Sequence, residues 1–313
     1  MLSYRHAFHA GGAADVLKHT VLVFCLDYLG QKEKPFLCID THAGAGLYVL
    51  TGGYAAQNRE WESGVGRLRA WGKRLPPAFT RYLDLAEGSP AKNPGVPAGS
   101  AGMGQAEKQA SAPAYPGSPG FIQKLLRPQD RAACFELHPA DFARLCEGFG
   151  GDSRFMIRRE DGLAALKALL PPPSRRGCIF IDPSYEIKDD YRLVPNVLAE
   201  ALGRFPRGIY IVWYPLLLNR AGASPVLRES LALPEKLTAL YGGNRCRIEL
   251  RSGFFHSGAF HGGGNRERES AGTLFGSGLV IYNPPWTLKA AMDEALPVLA
   301  ECLGCTGRIS WEA

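Results

Sequence analysis

The stretch Cys178-Ile179-Phe180-Ile181-Asp182-Pro183-Ser184-Tyr185 is an apolar run that stops on a carboxylate, a proline and an aromatic ring. The four apolar residues read as a short strand, and the proline after the acid closes it. Similar runs recur at 36–40, 131–137, 154–159, 208–213, 245–250 and 278–282, each giving way to polar or turn-forming residues. Amphipathic stretches with helical spacing, such as 141–149 and 163–170, lie between several of them. Strands that alternate with helices predict an α/β fold built on a mostly parallel, doubly wound sheet. Only a Gly- and Ser-rich stretch separates the last two runs, so they are expected to pair antiparallel and to give the sheet an antiparallel last strand.

Two stretches do not fit a plain alternation. Residues 47–130 separate the first two runs, where a crossover needs only a dozen or so residues. Residues 47–117 therefore read as an inserted small helical subdomain, with helical apolar spacing over 59–85. Within it, 88–113 is mostly Gly, Pro, Ala and Ser and reads as a mobile loop. Residues 1–30 form an N-terminal segment and a leading helix that starts near Ala13 or Ala14. The whole of 1–313 is expected to be one domain.

The 313 residues are 46% hydrophobic and 21% charged, the balance of a globular chain that builds a full core without staples. The formal charge of +6 is too mild to decide between a nucleic-acid partner and none. Arginines at 154, 158, 159, 175, 176, 204 and 207 fall near strand starts and ends, where a basic rim would suit phosphates. Eight scattered cysteines, several inside apolar runs, read as buried thiols in a reducing compartment. Cys302 and Cys305 make a lone C-x-x-C without a second pair, so no metal is expected. The first eleven residues lack the apolar core of a signal peptide, and the apolar stretch 20–29 is too short to span a bilayer and contains Asp27. A cytoplasmic enzyme with no membrane contact is the expectation.

The Asp182 motif suits an amine. An exocyclic base nitrogen offers only N–H donors, so its site must consist of acceptors: the Asp182 carboxylate and the carbonyl of Pro183, whose own nitrogen has no hydrogen. Tyr185 would then stack on the base. Upstream, Thr41-His42-Ala43-Gly44-Ala45-Gly46 is a glycine turn directly after a strand, where the backbone can approach a ligand closely. It is no dinucleotide fingerprint, since Val49 stands where a third glycine belongs. Open sheets bind ligands beyond the carboxyl ends of their strands, and those ends here carry His42, Glu136, Asp161 and Asp182. This set matches S-adenosylmethionine: Glu136 for the ribose diol, Asp161 for the adenine amine, and Lys18, His19 or His42 for the amino-acid carboxylate.

The chain resembles the bacterial ribosomal RNA large-subunit adenine-N6 methyltransferases of the RlmJ type nearly end to end. The resemblance rests on Met1-Leu2-Ser3-Tyr4-Arg5-His6 with Phe8-His9-Ala10-Gly11, on Ala14-Asp15-Val16-Leu17-Lys18-His19-Thr20, and on Asp40 through Gly46. Tyr115-Pro116-Gly117-Ser118-Pro119, Glu136-Leu137-His138-Pro139, Asp161-Gly162, Ser174-Arg175-Arg176-Gly177, Trp213-Tyr214-Pro215 and Asn283-Pro284-Pro285-Trp286 extend it. It implies a class I, Rossmann-like fold with an inserted helical subdomain. His19, His42, Ser118, Glu136, Asp161 and Gly162 would touch S-adenosylmethionine, Asp182 would be the catalytic acceptor, and Tyr4 would meet the substrate adenosine. Ser184 departs from the commoner second proline and adds an N–H near the target amine.

Asn283-Pro284-Pro285-Trp286 is a rival, closer to the acceptor-Pro-Pro-aromatic pattern. Were it catalytic, a permuted enzyme would place its glycine loop afterwards, and no strand-Gly-x-Gly unit follows Trp286. Those prolines are expected simply to end an edge strand. The reading is methyl transfer from S-adenosylmethionine to N6 of an adenine in 23S ribosomal RNA, naked or in an early assembly particle, by a monomer. A DNA adenine methyltransferase is the alternative within the same chemistry. A nicotinamide-dependent oxidoreductase leaves Asp182 and Tyr185 without a role, and a non-catalytic nucleic-acid binder leaves the strand-end acids idle.

Overall fold

A parallel sheet must be covered on both faces, so its central strands run apolar from end to end. The computed structural model describes residues 6–52, 55–87, 114–218, 225–251 and 273–312. Helix α1 (Ala13–Gly30) leads into strand β1 (Leu37–Asp40). Strand β2 (Leu47–Val49), helical turns over 55–58 and 62–69, helix α2 (Pro77–Ala86), strand β3 (Ala114–Pro116) and helix α3 (Ser118–Leu125) follow. The alternating part consists of β4 (Arg131–Phe135), α4 (Pro139–Phe149), β5 (Phe155–Arg158), α5 (Gly162–Leu169), β6 (Gly177–Ile181), α6 (Asp190–Arg204) and β7 (Ile209–Leu218). Then come α7 (Pro225–Ala239), β8 (Arg245–Arg251), β9 (Thr273–Tyr282), α8 (Leu288–Leu303) and β10 (Thr306–Glu312).

Eight strands form one sheet in the order β5-β4-β1-β6-β7-β9-β8-β10. From β5 to β7 all neighbours are parallel, and all five residues of β6 are buried. The sequence order reverses between β1 and β6, so the ends of β1 and β6 flank a switch-point crevice. This is the mostly parallel, doubly wound arrangement expected from the alternation of strands and helices. β8 and β9 are antiparallel neighbours as expected, but β9 inserts between β7 and β8. The expectation of an edge strand ending at Pro284 and Pro285 is therefore corrected: β9 is interior, and the edge belongs to β10, paired antiparallel to β8. Because β9 opposes β7 with Tyr210 facing Tyr282, Asn283 emerges at the amino ends of the parallel strands, away from Asp182. Its amide donates to the carbonyls of Pro206 (2.8 Å) and Gly208 (2.7 Å), a turn-closing role.

Helix α1 is apolar nearly all round because it is buried, packed against α2, α3 and strands β6, β7 and β9. Between β1 and β4, strands β2 and β3 pair antiparallel, with Tyr48 opposite Tyr115, and Gly117 N–H donates to Gly46 O at 3.0 Å. The chain thus returns to the glycine turn before α3 begins. The loop expected at 88–113 lies outside the described residues. All eight cysteines are free thiols, six of them buried. Among the described residues, no helix is long and apolar enough to cross a membrane.

Two members of the expected basic rim serve the fold instead. Arg154 binds Asp152 and the carbonyls of Leu126 and Gln123, while Arg176 binds the carbonyls of Lys34 and Leu29. A third arginine works the same way. Arg127 donates to the carbonyls of Gly30 and Lys32 and forks onto Asp130 (2.7 and 2.9 Å). Asp130 is fully buried and also accepts from Phe36 N–H at 3.1 Å, which ties the starts of β1 and β4 to the end of α1. Burial favours its neutral form, but the guanidinium and backbone N–H groups prevail and hold the carboxyl below its ordinary range. Asp130→Ala orphans a buried N–H and this guanidinium, and should cost about 2–3 kcal/mol of stability. Urea unfolding should show a lower midpoint with an unchanged slope.

Candidate active site

A cavity of about 270 Å³ opens beyond the carboxyl ends of β1, β4, β5 and β6. Eight of the residues expected at the site line it: His19, His42, Ser118, Glu136, Asp161, Gly162, Asp182 and Pro183. Tyr4 lies outside the described residues. Tyr185 does not line the cavity. Its backbone is left-handed (φ 54°), which turns the ring inward, where it is 3% exposed. The hydroxyl donates to Trp213 O at 3.1 Å, and the ring packs on Tyr191 and Trp213, with centroids 4.9 and 6.0 Å apart. The expected stacking role is therefore corrected to an anchoring one: Tyr185 pins the Asp182–Ser184 loop to β7. A bulky residue at positive φ stores about 1–3 kcal/mol of strain, which this packing must overcome.

The glycine turn is held by the acid that follows β4. Glu136 Oε2 accepts from Gly44 N–H at 2.9 Å and Oε1 from His138 N–H at 2.6 Å. Gly44 has φ +61°, and a Cβ there would lie 2.3 Å from the Tyr48 hydroxyl, so only glycine fits. Each carboxylate oxygen has a further lone pair, so Glu136 can still accept from a ligand diol. Burial shifts its carboxyl upward. Asp161 caps α5, its Oδ1 accepting from Leu163 N–H (2.8 Å) and Ala164 N–H (3.3 Å), while Oδ2 has no part in the cap. Next to it, Gly162 passes so close to Thr41 that a Cβ would meet that residue's backbone at 2.3 Å.

His19 comes from α1 and is almost fully buried against Phe121 and Phe180. Its Nδ1 lies 2.7 Å from the Tyr115 hydroxyl, itself 2.9 Å from that of Tyr82. Burial pushes the imidazole down to about 3, so it is neutral at pH 7. In the tautomer in which Nδ1 accepts from Tyr115, the ring proton sits on Nε2 and is a donor for an anionic ligand group. His42 is also pushed down by burial, to about 4, and its Nδ1 meets Thr41 Oγ1 at 2.8 Å.

Lys18, read from sequence as a donor to a ligand carboxylate, is committed elsewhere. Its ammonium sits 2.8 Å from Asp15 Oδ1 and 2.5 Å from Asp182 Oδ2. Burial alone would make it shed its proton, but the two carboxylates outweigh burial and raise its pKa. Oδ1 of Asp182 is left as the oxygen not taken by that ion pair. The lysine and the aspartate come from α1 and from the end of β6, distant in sequence, so no local pattern reports their contact.

Sequence reasoning also passed over Asp40. It ends an apolar strand just before a ligand loop, as Asp182 does, and that position was the available signal. Asp40 is fully buried; Oδ1 accepts from His42 N–H at 3.3 Å, and Oδ2 has no hydrogen-bond partner among the described residues. Burial raises its carboxyl to about 7, against the pull of the Ser118 hydroxyl and helped by the nearby Asp182 charge. Between its ordinary pKa of 3.8 and about 7, the folded chain keeps a proton that the unfolded chain has lost, so Asp40 makes stability fall as pH rises through that window. Asp40→Asn removes this dependence. Urea titrations at pH 5, 6, 7 and 8 should show the variant gaining on the wild type by up to about 1.4 kcal/mol per pH unit until pH 7, then levelling.

Comparison with known proteins adds the family. The family model described as "Ribosomal RNA large subunit methyltransferase D, RlmJ" matches residues 33–98 and 101–229. Ribosomal RNA large subunit methyltransferase J of Escherichia coli K12 is 38% identical over 316 residues, covering 99% of each chain. Its namesake from Haemophilus influenzae is 36% identical over 312 residues, covering 99% of this chain and 97% of that one. Among solved structures, protein LPL1258 from Legionella pneumophila superposes with a TM-score of 0.76 at 30% identity, covering 97% of this chain and 99% of the other.

Proposed function

The chain belongs to the RlmJ family of ribosomal RNA large subunit methyltransferases, and from that premise we propose that it methylates N6 of an adenine in 23S ribosomal RNA. The observation that carries the reading is the placement of Asp182. It stands at the cavity with Oδ2 held by Lys18 and Oδ1 outside that pair, next to a proline nitrogen that has nothing to donate. An amine, which is all donors, is the group that such a corner receives.

S-adenosylmethionine, when bound, supplies the methyl group on a sulfonium. The residues present suit that cofactor. Glu136 offers acceptor capacity for a ribose diol and Asp161 Oδ2 for an adenine amine, and neutral His19 offers a donor for a carboxylate when its proton is on Nε2; His42 gives its Nδ1 proton to Thr41 Oγ1, whose own hydrogen goes to Phe180 O, and so presents Nε2 as an acceptor. Leu137, Ile187 and Leu193, among the few exposed large apolar side chains described, ring the cavity mouth and can cover a flat base.

The adenine amine is a poor nucleophile because its lone pair is delocalised into the ring. A hydrogen bond donated to Asp182 Oδ1 makes that pair more available and aims it, and alignment together with exclusion of water supplies much of the acceleration. An ordinary carboxylate is too weak a base to deprotonate the neutral amine beforehand, so Asp182 takes the proton only after the methyl group has moved. The base must leave its stack to reach the cavity. Tyr4 would meet it from the N-terminal segment. The enzyme acts as a cytoplasmic monomer on naked RNA or an early assembly particle.

Asp182→Ala should lower the single-turnover rate on 23S RNA at least about 10³-fold. Calorimetric affinity for S-adenosylmethionine should stay within a few fold. Nucleoside mass spectrometry of the RNA reads out N6-methyladenosine, and turnover near the wild-type rate would remove Asp182 from the mechanism.

A further inference from the structure

Beyond the cavity, the least ordinary feature is the carboxylate of Asp15. It is 1% exposed, and its polar contacts among the described residues lead toward the active site or the N-terminal segment. Oδ1 binds Lys18 Nζ at 2.8 Å. Oδ2 accepts from Gly11 N–H at 2.9 Å and lies 3.1 Å from His6 Nε2. Lys18 in turn reaches Asp182 Oδ2 at 2.5 Å, and its ammonium stands 5.6 Å from the centroid of the Trp213 ring. An ammonium has three N–H bonds, and here they meet two carboxylates and an aromatic face. We propose that Asp15 is a positioning residue for methyl transfer: it holds Lys18 on one oxygen of Asp182 and so leaves the other oxygen for the target amine.

Geometry gives the reason that Asp15 is needed. A buried lysine with one carboxylate partner gains by straddling both oxygens of that partner, which would cover Asp182 Oδ1 and compete with the amine. A second anion on the far side keeps the ammonium to one side. The arrangement is a clamp and not a proton wire. Although burial favours neutral forms for both groups, Asp15 is held well below the carboxylate range by His6 and Lys18, and Lys18 is raised by its two anions. Neither group passes a proton at neutral pH. The clamp also joins the catalytic loop to the start of the chain, because the Oδ2 contacts of Asp15 fix His6 and Gly11.

This inference rests on the reading of Asp182 as the amine acceptor, so Asp182→Ala is measured in parallel. Asp15→Asn preserves volume and an acceptor toward Lys18 but removes the charge. It should lower kcat about 10- to 100-fold while the KM for RNA and the calorimetric affinity for S-adenosylmethionine stay within about threefold. Because Asp15 acts through Lys18, the double variant Asp15→Asn/Lys18→Met should be no slower than Lys18→Met alone, within about threefold. Wild-type kcat in Asp15→Asn, or losses that multiply independently in the double variant, would overturn the proposal. Should thermal melting show Asp15→Asn unfolded, Lys18→Met decides alone: reduced kcat with intact cofactor affinity supports the clamp, and wild-type kcat overturns it. If Asp182→Ala keeps full activity, the acceptor reading falls and the clamp with it. If Asp182→Ala is inactive while Asp15→Asn is not, only the clamp falls.

Discussion

A lysine ammonium taken out of water has to be met by charge, and the ion triad Asp15–Lys18–Asp182 meets that demand across the interface of α1 and β6. Side-chain exposures of 1%, 4% and 11% leave water little part in it. The triad therefore fixes more than a side chain. It sets the height of α1 against the carboxyl end of β6, and α1 also brings His19 to the cavity and packs on α3, which begins with Ser118. A shift of α1 by one helical turn would strand three charges and take His19 away from the cavity. The surrounding packing is apolar and tolerant; the triad is directional, and it makes the register unique.

Much of the frame was legible because parallel strands leave a coarse mark. Runs such as Cys178-Ile179-Phe180-Ile181 carry no polar residue, and the acid that follows several of them marks the edge of the sheet where the cavity opens. Glu136, Asp161 and Asp182 were found that way. β10 escaped because it is an edge strand: Thr306–Glu312 offers Ile309 and Trp311 as its only large apolar residues, and its first three positions are exposed. β2 and β3 escaped because three residues show no period. The interior place of β9 was hidden for a different reason. Strand order depends on which neighbours bury which faces, and the pattern within a strand does not report it.

At the site, residue types were readable and partnerships were not. Lys18 read as a donor to a ligand carboxylate, whereas its partners Asp15 and Asp182 are fixed by tertiary packing. Tyr185 shows the same limit at the backbone: the left-handed φ that turns its ring inward depends on the Trp213 carbonyl waiting to receive its hydroxyl. Asp40 illustrates a missed parallel. Two strands that end on a carboxylate beside each other in the sheet build one acidic pole, and half of that pole was visible all along.

The pairing of β2 with β3 has a consequence for how such a protein can vary. Tyr48 faces Tyr115 and Gly117 donates to Gly46, so the chain leaves and re-enters the sheet through one closed doorway. A longer connection between the two strands adds only a slowly growing closure entropy and leaves the distance between Gly44 and Ser118 to the doorway. Helix α2 has no such freedom: it packs on α1, and its Tyr82 reaches His19 through the Tyr115 hydroxyl. Variation in length is thereby confined to the stretch outside α2, while the cavity behind it keeps its shape.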